Sequence, residues 1–353
     1  MKKVISLLSI LIIISSCNNQ KNKEIKEINE SGDSIENTQT GFSDSTQNLD
    51  KELQNTEENS SLLQNEDESF SFRYNLKKGE NYPFYLKIST EQSMSAQGQS
   101  MNLSSSRTVD FDYFVESVEG NKFTLKATFK GFSESFKSPI GENISYNTNS
   151  AKPTNPDVAQ SWSIYKSITG QTFTMIVDNK GKVLSVTGLD KVVNNAVEKL
   201  KTDFTPEEQK EIRSLLEMSL SQEAIRTQFE DSLNIFPDKS LKIGEKWEDT
   251  QKINEGPIKG ENKVVRTFEG IQDGKAVITV KGTQSVNGSE TQNGITATMK
   301  NTSTLNGRIE LDLETGWIKK VSITKVEDMS NTYQQGERKE TESGRQTITT
   351  IVN

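Results

Sequence analysis

The chain has no histidine and a single cysteine, Cys17, in 353 residues. Without imidazole there is no Ser-His or Cys-His catalytic grouping, no His-ligated zinc and no haem held by histidine. One thiol closes no internal disulfide and builds no four-cysteine zinc or iron–sulfur site, so the fold must rest on burial alone. The sequence also lacks a G-x-G-x-x-G turn, a Walker loop and an EF-hand loop, and no cofactor or metal is expected. It has no basic footprint either. Residues 18–69 carry four lysines against thirteen acids, Lys2 and Lys3 precede them, and with the whole chain at −8 residues 70–353 sum to −1. A near-neutral domain beside an acidic segment would repel phosphates, so no nucleic-acid partner is expected.

What is present starts at the N-terminus. Met1-Lys2-Lys3 is followed by an apolar run from Val4 to Ile14, interrupted by Ser6 and Ser9. Eleven helical residues span only about 16 Å, half of a hydrocarbon core, which reads as a signal-peptide segment rather than a membrane span. The run ends Ile14-Ser15-Ser16-Cys17, which resembles the lipobox of bacterial lipoproteins. The resemblance implies cleavage before Cys17, a diacylglycerol thioether on its sulfur and two or three acyl chains, enough for stable membrane anchoring. Asn18 follows the cysteine where an Asp would signal inner-membrane retention, so the resemblance implies the outer membrane, with its face left open. Residues 18–69 contain only eight large apolar side chains among Asn, Gln, Ser, Asp and Glu. Such a stretch cannot offset the cost of backbone ordering and is expected to be a disordered acidic tether.

From Phe70 the pattern alternates. Phe123, Leu125, Ala127 and Phe129 fall on one side of an extended chain, as do Val109, Phe111, Tyr113 and Val115, with Glu119-Gly120-Asn121 between them as a turn. Further strands are expected at 82–91, 162–166, 173–177, 183–187, 263–271, 276–280, 295–299, 309–313, 317–326 and 346–351. Asp273-Gly274, Asn293-Gly294 and Asn306-Gly307 are expected turns. A helical block over 189–237 stands between the strand-rich stretches. Leu189, Val192, Val193, Ala196, Val197 and Leu200 recur at helical spacing, Thr205-Pro206-Glu207-Glu208 is a helix start, a third helix begins near Ser221, and Pro237 closes the block.

Leu76-Lys77-Lys78-Gly79-Glu80-Asn81-Tyr82 matches Leu241-Lys242-Ile243-Gly244-Glu245-Lys246-Trp247, 118–122 matches 271–275, and 181–186 matches 316–321, in the same order. The sequence therefore reads as a mainly β fold with a helical insert: a β repeat over 70–188, the insert over 189–237, and a second β repeat over 238–353, forming a curved antiparallel sheet or half-barrel packed on central helices. The Leu-Lys-x-Gly-Glu-x-aromatic opening on a tethered chain resembles a family of uncharacterised bacterial lipoproteins. The architecture is similar to lipoprotein-carrier folds, a likeness that implies an acyl chain held between sheet and helices.

Candidate chemistry is sparse. Ser163-Ile164-Tyr165-Lys166 and Ser322-Ile323-Thr324-Lys325 fit S-x-x-K, but no S-D-N or K-T-G accompanies them, and in the expected strands Ser and Lys point to opposite faces. Asp110 and Asp112 share a strand face without a third oxygen ligand nearby in sequence. Trp162, Trp247, Trp317, Tyr82 and Tyr85 are aromatics whose commoner role is packing and whose alternative is to line a ligand cavity. The one assigned site residue is Cys17, for lipidation; no catalytic or metal-binding residue is assigned. The expectation is a non-enzymatic, membrane-anchored module of the cell envelope holding a lipid or other apolar ligand, with a protein-interaction component of an envelope complex as the alternative.

Overall fold

The computed structural model describes residues 60–353 apart from 97, 140 and 142. The expected signal segment, Cys17 and residues 18–59 of the tether lie outside the described residues. The strands are β1 (Leu62–Gln64), β2 (Phe70–Phe72), β3 (Asn81–Ala96), β4 (Gln99–Glu119), β5 (Lys122–Lys137) and β6 (Ile144–Asn147). Helix α1 (Pro156–Ile168) precedes β7 (Thr172–Asp178) and β8 (Val183–Thr187). Helices α2 (Leu189–Lys199), α3 (Pro206–Ser219) and α4 (Gln222–Leu233) follow. The chain then runs through β9 (Lys246–Glu255), β10 (Ile258–Gln272), β11 (Lys275–Gln292), β12 (Ile295–Asp312), β13 (Ile318–Gln335) and β14 (Arg338–Val352).

Apart from the β1–β2 pair, every strand joins one open antiparallel sheet ordered β8-β7-β5-β4-β3-β14-β13-β12-β11-β10-β9, with β6 on the far half of β5. The period-2 pattern decides which face is inside. Phe123, Leu125, Ala127 and Phe129 on β5, Phe111, Tyr113 and Val115 on β4, and Ile278 and Val280 on β11 are all buried in one cluster. Burying each such side chain contributes about 1.5–3 kcal/mol. The helices add their apolar stripes to the same cluster through Ile164, Ile168, Val192, Val193, Ile212, Leu216, Phe229 and Leu233. They touch the sheet at β5 and β6 (α1), β7 (α2) and β8 (α4). Helix α3 starts with the expected capping box: the Thr205 hydroxyl accepts from Glu208 N–H, and Thr205 N–H donates to Glu208 Oε2 at 2.9 Å.

The two Leu-Lys-x-Gly-Glu segments make matching turns. Gly79 and Gly244 both take φ of 85°, where a glycine is favoured. Gly79 N–H donates to Val115 O and Val115 N–H to Glu80 O; Gly244 N–H donates to Phe268 O and Phe268 N–H to Glu245 O. Each turn thus clips the neighbour of the strand it opens, β4 beside β3 and β10 beside β9.

Three expectations are corrected. The folded part begins before Phe70: Ser61 donates from N–H and Oγ to Leu313 O, and Leu62 is buried as β1 pairs with β2. Those backbone bonds hold a segment whose composition is otherwise that of the tether. Residues 162–166 are helical, within α1. Asn155 Oδ1 accepts from the N–H groups of Asp157 and Val158, and Pro156 sits in the first turn, so the Asn-Pro pair is a helix start. Asn306-Gly307 makes no turn and lies within β12; Gly307 is there because the neighbouring strand is close. A Cβ at Gly307 would lie 2.4 Å from Ile323 Cγ1 and 2.8 Å from Ser322 O. Gly307→Ala is therefore expected to destabilise the protein by about 1–3 kcal/mol, read from chemical denaturation midpoints, although alanine is ordinarily the better strand residue.

Candidate functional site

Antiparallel partners share a sheet face, so the register fixes what lines each row across the strands. On the core face, the row Trp247, Arg266, Val280, Gly307, Ile323, Thr350, Ile88, Arg107 and Glu134 marks a transition. On one side of it lies the apolar cluster packed on the helices. On the other, the same face carries a continuous polar row. Gln251, Asn262, Gln284, Ser303, Glu327, Gln346 and Gln92 stand opposite one another in turn on β9, β10, β11, β12, β13, β14 and β3. Aliphatic and thioether side chains flank this row: Leu305 and Ile348 on the core side, and Val286, Met329, Met94 and Met101 on the far side. Val286 is buried yet lies outside the main cluster.

Glu327 and Lys325 form the centre. Their side chains keep only 9% exposure each and meet at 3.4 Å (Oε2 to Nζ). Asn301 Nδ2 donates to Glu327 Oε1, and Gln346 Nε2 to Oε2 at 2.7 Å. Lys325 Nζ donates to Gln284 Oε1 at 3.2 Å, as does Ser303 Oγ at 3.4 Å. Burial pushes the Glu327 carboxyl up, but the bonds from Asn301 and Gln346 and the charge of Lys325 outweigh it and hold the group below its ordinary 4.5. Glu327 is a saturated anion rather than a base awaiting a proton. Asn301 Oδ1 is buried without a hydrogen-bond partner.

A second polar cluster sits where α1 meets the sheet. Arg107 Nη2 donates to Glu134 Oε1 at 3.0 Å, and Tyr146 Oη donates to Glu134 Oε2 at 3.0 Å. The Tyr165 hydroxyl, on α1, is buried with no hydrogen-bond partner. Burial is the main cause holding the phenols of Tyr146 and Tyr165 protonated, well above their ordinary range.

The residues singled out from sequence scatter. Ser163 and Lys166 share a helix, not a strand, but Ser163 Oγ donates to Asp203 Oδ2 at 2.7 Å while Lys166 Nζ donates to Thr148 O at 2.8 Å. Ser322 is exposed on the opposite face from buried Lys325. Asp110 and Asp112 lie half-buried on the outer face of β4. Burial foremost, with the nearby Asp112 charge, raises the carboxyl of Asp110. Trp317 is buried among Tyr74, Tyr82, Phe84 and Tyr113 at ring distances of 5.2–6.5 Å and donates from Nε1 to Pro83 O. Trp247 packs on Phe72, and Trp162 Nε1 donates to Asn147 O. Tyr85, at 36% exposure, stands outside the core. Trp317, Tyr82 and Trp247 pack against other rings, and Trp162 is held by the backbone. Among the described residues no group of three or more Cys, Asp or Glu is placed to hold a metal ion, and no helix is long and apolar enough to cross a membrane. The polar row was missed because its residues carry no motif. Its only trace is that Lys325 and Glu327 continue the alternation begun by Val321 and Ile323.

Removing one partner of a buried pair strands the other charge. Glu327→Ala is expected to cost about 3–5 kcal/mol, whereas the double change Lys325→Met, Glu327→Leu is expected to cost far less. Because the folded-state value of Glu327 is depressed, its contribution is present above pH 4.5 and is lost as the pH falls through the lower folded value. Urea midpoints between pH 3 and 7 should fall less steeply in the double variant than in the wild type.

Residues 120–318 match the profile of a family described as of unknown function. No curated protein matches the chain. Among solved structures, one titled for lipid–protein interactions in lipovitellin is 11% identical with a TM-score of 0.34, over 78% of this chain and 25% of that one, so the chain spans a quarter of the lipovitellin chain. Pseudomonas aeruginosa OccK5 (OpdH) is 6% identical with a TM-score of 0.22, over 78% and 99% of the two chains. OccK2 (OpdF) of the same organism, in complex with glucuronate, is 5% identical with a TM-score of 0.17, over 77% and 98%. Likeness this slight carries no argument.

Proposed function

The chain belongs to DUF6263, that family of unknown function, and we propose that it is a non-enzymatic lipoprotein of the cell envelope that holds an acyl chain on the half of its sheet face that the helices leave uncovered. The observation that carries the reading is a mismatch of lengths. Strand β13 has 18 residues and spans about 60 Å, whereas α3, the longest described helix, has 14 and spans about 21 Å. Beyond the helices the face continues as Leu103, Met101, Met94, Met329 and Ile348 beside the row of amides. Thioethers adapt to irregular apolar chains, and side-chain amides offer both donors and acceptors to a polar headgroup. These properties favour a ligand lying beside the polar row. The helix-covered region is the poorer candidate, because its aromatic rings already interlock. Halves 70–188 and 238–353 are read as diverged copies around the insert 189–237, a reading supported by their matching glycine turns. In this reading Cys17 carries the lipid, the acidic stretch after it is the tether, and the membrane is the outer one.

Protein purified from its own host is expected to carry an acyl lipid by native mass spectrometry and to take up a fluorescent fatty acid. Met94→Asp together with Met329→Asp should weaken uptake about tenfold or more, since each buries a charge against an acyl chain. No co-purified mass and no uptake would reject the reading. Separately, Cys17→Ser should move the protein from the membrane to the soluble fraction; unchanged fractionation would contradict the anchor.

A further inference from the structure

Strand β9 closes one end of the sheet, and among the described residues its only strand partner is β10. We infer that this edge pairs with β9 of a second copy, antiparallel and centred on Thr250, so that two molecules share one continuous sheet.

Phe268 N–H donates to Glu245 O, so the odd-numbered residues of this stretch turn their N–H and C=O groups toward β10. Lys246, Glu248, Thr250, Lys252 and Asn254 therefore direct theirs to the open edge, and all five side chains are exposed. A two-fold axis normal to the sheet keeps each face on its own side, so residues of like parity must oppose each other across it. With Thr250 on the axis, the five edge-facing residues pair among themselves in a ladder of about ten hydrogen bonds.

The side chains then choose among the registers that this phase allows. Centred on Thr250, Glu248 meets Lys252 of the second copy on the outer face. On the inner face, half-buried Trp247 meets half-buried Ile253. Both contacts occur twice by symmetry. Lys252 makes no ion pair among the described residues, while Glu248 already approaches Lys263 at 2.7 Å, so the second copy adds a cation on the other side of one carboxylate. Centring on Asp249 opposes that carboxylate to itself and Lys246 to Lys252. Centring on Gln251 puts Trp247 against Glu255 and Ile253 against Asp249. Centring on Lys252 opposes that ammonium to itself and Asp249 to Glu255. Charges on an edge strand ordinarily keep other strands away. Here like charges meet in the Asp249 and Lys252 registers and carboxylates meet apolar groups in the Gln251 register, while the Thr250 register brings two opposite-charge pairs together on the strand and sets Glu255 against Glu245 only at its ends. The opposite edge, β8, has five residues, and the N–H of Val183 is taken by Glu230 Oε1, so it offers no equivalent ladder.

The test is sedimentation and light scattering of the full chain in detergent at micromolar concentrations. A dimer is expected. Glu248→Lys should weaken it about tenfold, and adding Lys252→Glu to that variant should restore it to within about threefold. In a Cys17→Ser background, Thr250→Cys should form a disulfide-linked dimer on mild oxidation, because a hydrogen-bonded pair places its Cα atoms about 5.5 Å apart. Thr298→Cys, exposed on the central strand β12, should not. All four positions are solvent-facing, and circular dichroism checks that each variant folds. A monomer at every concentration, a dimer indifferent to both charge changes, or equal crosslinking at Thr250 and Thr298 would overturn the inference.

Discussion

A strand of 15 to 21 residues keeps its register only if something distinguishes its two faces along its whole length, because a slip of one residue exchanges every side chain between them. In this sheet the distinction is made in two ways. Along the half under the helices it is made by Phe, Leu, Val and Ile, all on one face. Along the other half it is made by hydrogen bonds and charge, through Gln284, Ser303, Glu327 and Gln346 in the same phase. A register shift would turn Glu327 and Lys325 to the opposite face and part them from Asn301, Gln346 and Gln284. The buried pair is read here as a register lock rather than a source of net stability, which buried pairs seldom provide.

That division explains which parts of the fold were legible. Where alternation used apolar residues, as in Phe123 to Phe129, the strand and its inward face followed directly. The capping box at Thr205 and Glu208 and the glycine turns at Asp273-Gly274 and Asn293-Gly294 were equally plain, the last two with positive φ at both positions. The strand halves built from residues such as 282–292 and 99–106 were not, because Val286 alone, or Met101 and Leu103 among Ser, Asn and Gln, makes too short an apolar alternation, and these segments owe their strand state to neighbours far away in sequence. Residues 162–166 read as strand rather than as part of α1 because the buried positions of this helix include Ser161, Ser163 and Ser167, which hide the helical stripe. Asn306-Gly307 has the composition of a turn, but the demand on Gly307 is close approach between strands, and composition alone does not separate the two.

The site was less legible than the fold. Ser163, Lys166, Lys325 and the tryptophans are engaged by the partners they hold, whereas Asp110, Asp112 and Ser322 simply lie on the outer face of the sheet. The polar row had no name in sequence because its seven members come from seven strands and meet only through register. Its position beyond the helices is what turns a packing detail into a functional reading. A face that is apolar, amide-lined and without a helix over it suits a ligand with a long apolar chain and a polar end, whereas the interlocked rings around Trp317 have no room to yield.

Photoaffinity labelling with a fatty acid carrying a diazirine along its chain tests this placement most directly. The account predicts that crosslinked peptides map to the far ends of β3, β4, β13 and β14, around Met94, Met101, Met329 and Ile348. Labels concentrated instead in α2 to α4, or among the rings around Trp317, would contradict it.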